Sequence, residues 1–175
     1  MKKIFILLVI LSPLITNPYS FDFQNNTTTQ QVKYSCGLED FKNTLGFVES
    51  TNNYKCVNKW GYLGKYQFSR RTLKGLGFKV KKREFLNSPS IQEEALIALL
   101  NCNKKILQKE IDKYEGIYIN GIYVTESGLL ASAHLLGPNA VKKYLKSNGR
   151  KIKKDGLGTS IEKYLKLFSG YSLYL

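Results

Sequence analysis

The sequence contains few of the residues on which several kinds of chemistry depend. Its 175 residues include one histidine, His134, and three cysteines. Neither a Cys-x-x-Cys pair nor a cluster of histidines and cysteines occurs, which argues against a metal site. The Gly-x-Ser-x-Gly elbow of α/β-hydrolases is also missing, and His134 sits in an apolar run typical of a core or groove residue. We therefore predict neither a metal nor a cofactor.

Acidic side chains are scarce as well. Thirteen Asp and Glu residues stand against 27 Lys and Arg residues, and the formal net charge is +14. Such a charge favours an anionic partner, whether nucleic acid, anionic lipid or an acidic cell-surface polymer. The basic runs at residues 79–83 and 150–154 are either solvated faces or surfaces attracted to an anionic cell wall.

Long apolar runs are absent from the sequence except near the amino terminus. Residues 1–3 are a short basic start, residues 4–15 are almost all apolar, and polar residues follow. The apolar run is too short for a membrane span, which needs roughly 20 residues. This layout predicts a secretory signal peptide over residues 1–20, with an uncleaved amino-terminal anchor as the alternative.

Export narrows the choice of partner and raises the question of disulfides. We predict a protein of the periplasm or the extracellular side of the cell envelope, where nucleic acid is not a partner and the membrane is met only transiently through the signal peptide. An oxidising compartment permits disulfides. Three cysteines allow one bridge, and the sequence leaves its pairing open among Cys36, Cys56 and Cys102. We expect a monomer.

The rest of the chain predicts one mainly α-helical domain. Residues 21–35 are rich in Asn, Thr and Gln and are expected to form a mobile lead-in, and residues 36–175 form the domain. Apolar residues from Leu38 to Val48 recur at three- and four-residue spacing, which predicts a helix ending near Glu49.

Turn and capping signals place the other elements. Asn120-Gly121, between two β-prone runs, predicts a β-hairpin, whose Tyr118 or Tyr123 either lines a substrate groove or belongs to a structural flap. The longest helix, from residues 88–90 to about residue 111, is predicted to be the central core helix, and residues 79–83 a connector. Further helices are expected after Ser69 and Thr125 as caps and over residues 139–148, and a last helix is expected to carry Leu165 and Phe168 on its inward face. Capping boxes are predicted for Ser90 with Glu93 and for Thr159 with Glu162, which opens the last helix.

Glu49 is the candidate catalytic acid. A carboxylate near the carboxyl terminus of a helix interacts unfavourably with the helix dipole, at a cost of about 0.3–1 kcal/mol. The position of Glu49 therefore suggests a role other than stabilising the helix. Cleavage of a glycosidic bond needs a carboxylic acid that donates a proton to the leaving oxygen, which an apolar pocket favours and nearby cations oppose. No second Asp or Glu lies within the 34 residues after Glu49, which leans toward a mechanism with one acid.

Two segments carry a resemblance to a known family. Glu49-Ser50, followed by "NKWGYLGKYQF" at residues 58–68, resembles the signature of lytic transglycosylases of the soluble-lytic-transglycosylase type, with Gly61, Gly64 and Gln67 at the fixed places of its Gly-x-x-Gly-x-x-Gln block. "LLASAHLLGPNAVKKYL" is similar to the family's Ala-Ala-Tyr-Asn-x-Gly-Pro-x-x-Val segment. The resemblance covers roughly residues 38–168.

The resemblance implies a lysozyme-like fold, of the kind shared with goose-type lysozyme, and peptidoglycan glycan strands as substrate. It implies that Glu49 protonates the oxygen between N-acetylmuramic acid and N-acetylglucosamine and then takes the proton of the muramic C6 hydroxyl, leaving a 1,6-anhydro end. Gln67 would bind the sugar or stabilise its loop, and Tyr164 would lie beside Glu49 or serve as a core aromatic. The residues implied at the substrate are Ser50 (as a supporting neighbour), Gly64, Tyr66, Gln67, His134 and Tyr164.

Departures from the family pattern leave alternatives open. His134 and Leu135 stand where the family motif has Tyr and Asn, and Lys65 and Tyr66 replace its Leu-Met pair. A hydrolytic muramidase on the same fold, and a non-catalytic wall-binding or secretion-accessory protein, therefore remain alternatives. If Glu49 is an acid that must hold a proton, we also expect the surrounding lysines and arginines to point away from it.

Overall fold

Residues 36–175, which the computed structural model describes, are mainly helical with one two-stranded antiparallel sheet. This confirms the mainly α prediction, while the predicted signal peptide (1–20) and lead-in (21–35) lie outside the described residues. None of the helices described is long and apolar enough to cross a membrane. The elements are α1 (Leu38–Ser50), α2 (Arg70–Gly75), α3 (Lys82–Asn87), α4 (Pro89–Tyr114), β1 (Tyr118–Ile119), β2 (Ile122–Tyr123), α5 (Glu126–Leu136), α6 (Pro138–Lys146) and α7 (Ile161–Leu167).

The most deeply buried helix is α5, and the prediction that α4 is the central helix is wrong. All residues of α5 from Ser127 to Ala133 are buried, and the helix packs against α4, α6 and α7. Gly128 permits the close approach to α7, because a Cβ there would lie 2.9 Å from the Leu165 carbonyl oxygen. The longer α4 buries only one face, since helix length does not decide which helix is central.

Two predicted caps are confirmed and two predicted capping boxes are wrong. Ser69 and Thr125 accept backbone N–H groups at the starts of α2 and α5. Glu93 instead turns its carboxylate toward the core, and Glu162 accepts hydrogen bonds from the hairpin and from α6, while Ser160 caps α7. The stretch read as a basic connector contains the start of α3.

The predicted hairpin is present and is fixed to the helices behind it. Asn120 and Gly121 both have positive φ, at 51° and 70°, as a two-residue hairpin turn requires. Ile119 and Ile122 are buried, so the paired tyrosines of β1 and β2 face solvent. The Asn120 amide donates to the Gly149 carbonyl oxygen and to the Glu162 carboxylate, which holds the hairpin against the segments around α6 and α7.

A partly buried charge cluster joins α1, the loop at residues 51–69 and α4. The Glu93 carboxylate accepts from Tyr54 at 2.6 Å and Tyr66 at 2.7 Å, and it pairs with Lys42 at 2.8 Å and Lys65 at 3.1 Å. We call these five residues the Glu93 cluster. Burial raises the pKa of Glu93, but the hydrogen bonds from its four partners outweigh burial and lower that pKa to about 2. Glu93 is therefore a carboxylate under all ordinary conditions.

The neighbouring Gln92 fixes the same loop to α4. Its fully buried side chain accepts the Lys65 N–H at 2.8 Å and donates to the carbonyl oxygens of Tyr54 and Phe85. Gly64 has a φ of +75°, and a Cβ at this position would collide with the Gln92 amide. The glycine is therefore needed where the loop turns directly over α4.

Replacing Glu93 by Gln is expected to lower the free energy of unfolding at pH 7 by about 2 kcal/mol, because the buried Lys65 ammonium loses its counter-ion and Lys42 keeps only the exposed Glu39 carboxylate. The folded pKa of Glu93 lies below its ordinary value of 4.5, so its stabilising contribution is present above pH 4.5 and is lost as the pH falls toward about 2. Urea unfolding at pH 7, 4 and 2.5 should show a difference between wild type and variant that narrows with acid. Glu94→Gln, which changes the adjacent exposed acid, is the control; equal loss in both variants would contradict the prediction.

Candidate active site

A cleft of about 810 Å³ opens beside Glu49. This volume is within the range of sites that bind small molecules or a few sugar units. Trp60 and Tyr62 are 49% and 41% exposed at its wall, so each presents apolar ring surface to the cleft. The cleft is lined by Glu49, Asn58, Trp60, Gly61, Tyr62, Leu63, Gln67, Ser69, Arg70, Lys82, His134, Leu135, Asp155, Gly156 and Leu157.

The end of α1 fixes the position of Glu49. Thr51 and Asn52 follow the helix with φ values of 54° and 60°, a left-handed conformation that non-glycine residues seldom adopt. Their N–H groups donate to the Phe47 and Gly46 carbonyl oxygens at 2.9 Å and so terminate α1 at Ser50, one residue after Glu49. Strained backbone of this kind, costing on the order of 1–3 kcal/mol, is concentrated at functional sites.

Ser50 ties this helix end to the opposite loop. Its hydroxyl donates to the Lys65 carbonyl oxygen at 2.8 Å and accepts the Asn53 N–H at 3.0 Å. Ser50 does not line the cleft, so the structure gives it the supporting position expected of a neighbour rather than a place at a substrate.

The carboxylate of Glu49 is held from one side. Its side chain is 15% exposed, and the Tyr164 hydroxyl donates to Oε1 at 2.6 Å. Burial, and next the Glu49 charge, raise the pKa of Tyr164, so the phenol keeps the proton that it donates. His134 Nε2 lies 3.6 Å from the same Oε1, too far for a hydrogen bond. Among the described residues Oε2 accepts no hydrogen bond, so it is the oxygen left for a ligand.

His134 is a buried and neutral imidazole beside Glu49. Burial lowers the pKa of His134, and the Glu49 charge and the Tyr66 backbone oppose this effect without overcoming it. Its ring meets the Phe68 ring edge to face at 6.0 Å. Within residues 36–175 its Nδ1 has no hydrogen-bond partner, so the Tyr66 backbone acts as a nearby dipole rather than as an acceptor.

None of the cations near Glu49 in sequence forms an ion pair with it. No Lys or Arg in the described part of the chain lies within 4.0 Å of its carboxylate oxygens, which agrees with one part of the expectation. Lys65 is buried in the Glu93 cluster, and Lys59 lies over the Trp60 ring. Arg70 and Lys82 line the cleft, which was not predicted from the sequence.

A second carboxylate reaches the cleft from the loop between α6 and α7. Asp155 lies there, and its Oδ1 accepts the N–H groups of Leu157 at 2.9 Å and Thr159 at 2.7 Å. Asp155 was not predicted from the sequence, because only the fold brings this distant loop to the cleft. The glycine of the adjacent Gly156-Leu157 turn indicates a loop in the sequence, but it does not indicate that this loop borders the cleft.

The structure brings together four of the predicted site residues. Glu49, Gln67 and His134 line the cleft, and Tyr164 contacts Glu49 from behind. Gln67 makes the loop contact that one interpretation predicts, because its Nε2 donates to the Gly64 carbonyl oxygen at 2.8 Å. Gln67 also borders the cleft, and its binding of a sugar stays a prediction.

The geometry corrects two other expectations for the groove and bears on one question that the sequence left open. Tyr66 is fully buried with its hydroxyl on Glu93, so it cannot line the groove. Gly64 is buried beneath Gln92 and serves the loop turn instead of a ligand. Tyr118 and Tyr123 are exposed on the hairpin but are not part of the cleft wall, which favours the structural interpretation of the hairpin.

No protein-family model, curated protein or solved structure matches this chain. The resemblance seen in the two short sequence segments is not strengthened by these comparisons. An interpretation of the site therefore depends on the geometry around Glu49 and on the chemistry that its side chains permit.

His134 is the one histidine of the chain, so its imidazole protons report on the site directly. We expect an NMR titration midpoint below 6.5, because burial disfavours the imidazolium. Glu49→Gln should lower the midpoint further, since it removes a charge that favours the protonated ring. Glu94→Gln, an exposed change outside the cleft, should leave it in place. A wild-type midpoint at or above 6.5, or no response to Glu49→Gln, would contradict this arrangement.

Proposed function

We propose that this protein is an exported lytic transglycosylase that cleaves peptidoglycan glycan strands on a lysozyme-like fold. The observation that carries the proposal is the environment of Glu49. A single carboxyl group, 15% exposed, borders a cleft with one oxygen held by Tyr164 and the other free of protein partners. No lysine or arginine of the described chain pairs with it, which suits a group that must deliver a proton.

The contacts of Glu49 give its two carboxylate oxygens different roles. Tyr164 occupies Oε1 and orients the carboxyl group, so the proton is carried on Oε2 toward the cleft. This proton passes to the glycosidic oxygen as the C1–O bond of the muramic residue breaks. Glu49, now a carboxylate, takes the proton of the muramic C6 hydroxyl, whose oxygen bonds to C1. A 1,6-anhydro end forms, the acid regains its proton and no water is consumed.

The other cleft residues suit a sugar chain. The Gln67 amide nitrogen is engaged by the Gly64 carbonyl oxygen, so its Oε1 is left to accept from a hydroxyl or acetamido N–H. Trp60 and Tyr62 offer exposed ring faces on which the apolar faces of sugar rings can pack. The neutral His134 places no positive charge next to the acid at neutral pH.

The second candidate is a hydrolytic muramidase, and Asp155 is the observation that favours it. A hydrolase that inverts configuration needs a second carboxylate to activate water. Asp155 borders the same cleft as Glu49. Its Oδ1 already accepts two backbone N–H groups and organises its own loop, which favours a structural use of this side chain.

We expect Glu49→Gln to lower the rate of strand cleavage by about 10³-fold or more, because the amide cannot donate the proton. Purified sacculi incubated with the wild type should release muropeptides with 1,6-anhydro ends, identified by mass spectrometry. Glu94→Gln is the matched control and should retain the wild-type rate. Cleavage by Glu49→Gln at the wild-type rate would refute the site, and sacculi that are bound but never cut by the wild type would indicate a non-catalytic wall-binding protein.

Asp155→Asn separates the two enzymatic candidates. The amide keeps an oxygen in place of Oδ1 and so preserves the loop contacts with Leu157 and Thr159. A transglycosylase needs no second carboxylate, so we expect cleavage within about threefold of wild type and unchanged anhydro ends. Reducing ends in the wild-type digest, together with loss of cleavage in Asp155→Asn, would establish the muramidase instead.

A further inference from the structure

The cleft beside Glu49 carries cations that the proposed chemistry does not use. Arg70 and Lys82 are exposed and line the cleft. Lys82 also borders a second cavity of about 440 Å³, to which Lys55 and Arg83 contribute. A basic surface therefore runs from the cleft wall into the adjoining cavity.

Neither ion pairing nor the helix dipole explains these cations. Among residues 36–175 no carboxylate pairs with Arg70 or Lys82 within 4.0 Å. Glu84, the nearest acid in the sequence, lines neither cavity and turns its carboxylate to the Lys81 N–H. Arg70 and Lys82 are also the first residues of α2 and α3, the end of a helix where a positive charge is disfavoured.

A bare sugar strand offers these cations little to bind. Sugar rings and acetamido groups are uncharged, and the cleft already has Trp60, Tyr62 and Gln67 for them. Muramic residues, however, carry peptides through an amide at the lactyl group, and such peptides bear carboxylates. Arginine binds a carboxylate through two parallel N–H bonds and lysine attracts it as a compact charge. The chemical class that fits an arginine and a lysine beside a sugar-binding cleft is thus a carboxylate on a glycan substituent.

We propose that Arg70 and Lys82 form a subsite for the carboxylates of the strand's peptide substituents, so that the enzyme prefers peptide-bearing strands whose carboxylates are free. This inference rests on the proposed function of the cleft, whose substrate it specifies. Lys82 continues the subsite into the adjoining cavity, where Lys55 and Arg83 meet the remainder of the peptide. The sugar chain and its side branch are then recognised by two chemically different parts of one surface.

The test compares two double variants on two forms of one substrate. Arg70→Gln/Lys82→Gln removes the cations that line the cleft, and Arg71→Gln/Lys74→Gln removes two exposed cations of α2 that line neither cavity. The substrates are glycan strands freed of attached phosphate polymers, either native or with their carboxylates converted to neutral amides by carbodiimide coupling to ammonia. Circular dichroism verifies that every variant is folded, and kcat/KM is measured for strand cleavage.

We expect amidation to lower the wild-type kcat/KM about tenfold, and Arg70→Gln/Lys82→Gln to lower it about tenfold on native strands with no further loss on amidated ones. The control variant should behave as wild type on both substrates. A wild type indifferent to amidation, or a loss in Arg70→Gln/Lys82→Gln that is equal on both strands, would overturn the inference.

A binding measurement keeps this test separate from the proposed function. The Glu49→Gln protein is sedimented with native and with amidated sacculi, and the same measurement is made with the two cations replaced in addition. If the wild type cuts neither substrate, the proposed enzyme is wrong, and the subsite is then decided by binding alone. Binding that weakens about tenfold on amidation, and only when Arg70 and Lys82 are present, supports the subsite; equal binding to both sacculi rejects it.

Discussion

The charge cluster around Glu93 is the interaction on which the candidate site depends. It joins α4 to α1 through Lys42 and to the loop at residues 51–69 through Tyr54, Lys65 and Tyr66. A buried carboxylate is tolerated only when charges and hydrogen bonds surround it, and here four groups do so. The same bonds hold the loop that forms one wall of the cleft and remove Lys65 from the neighbourhood of the catalytic candidate.

Two half-buried acids thereby acquire different surroundings within one small domain. Glu93, with a side chain 23% exposed, is met by two ammonium groups and two phenols, whereas Glu49, 15% exposed, is met by one phenol and a neutral imidazole. The surroundings of Glu93 keep it ionised for a structural role, whereas Glu49 keeps one carboxylate oxygen without a partner among the described residues. Part of the high density of lysine around Glu49 in the sequence thus has a structural resolution, because Lys65 is paired with Glu93 and not with Glu49.

Local rules predicted the elements of this fold, and they failed where a distant partner competed. The caps at Ser69 and Thr125 and the turn at Asn120 depend on neighbours within a few residues, and all are present. Both capping boxes failed because Glu93 and Glu162 find stronger partners across the fold. The central position of α5 could not be predicted from helix length or from the spacing of apolar residues. Such spacing shows which face of a helix is apolar, but it does not show which other helices pack around it.

The same distinction between local and distant contacts applies to the residues of the candidate site. The motif fixes the spacing of Glu49 and Gln67, but it does not show toward which side of the loop each side chain points. From the sequence, an aromatic residue such as Tyr66 is therefore equally compatible with the groove wall and with the core. The fold supplies what spacing omits, because Asp155 and the cations of α2 and α3 reach the cleft from outside the motif. Under the proposed function, the candidate acid is therefore identified by a short motif, whereas the residues proposed to select its substrate are brought together only by the folded chain.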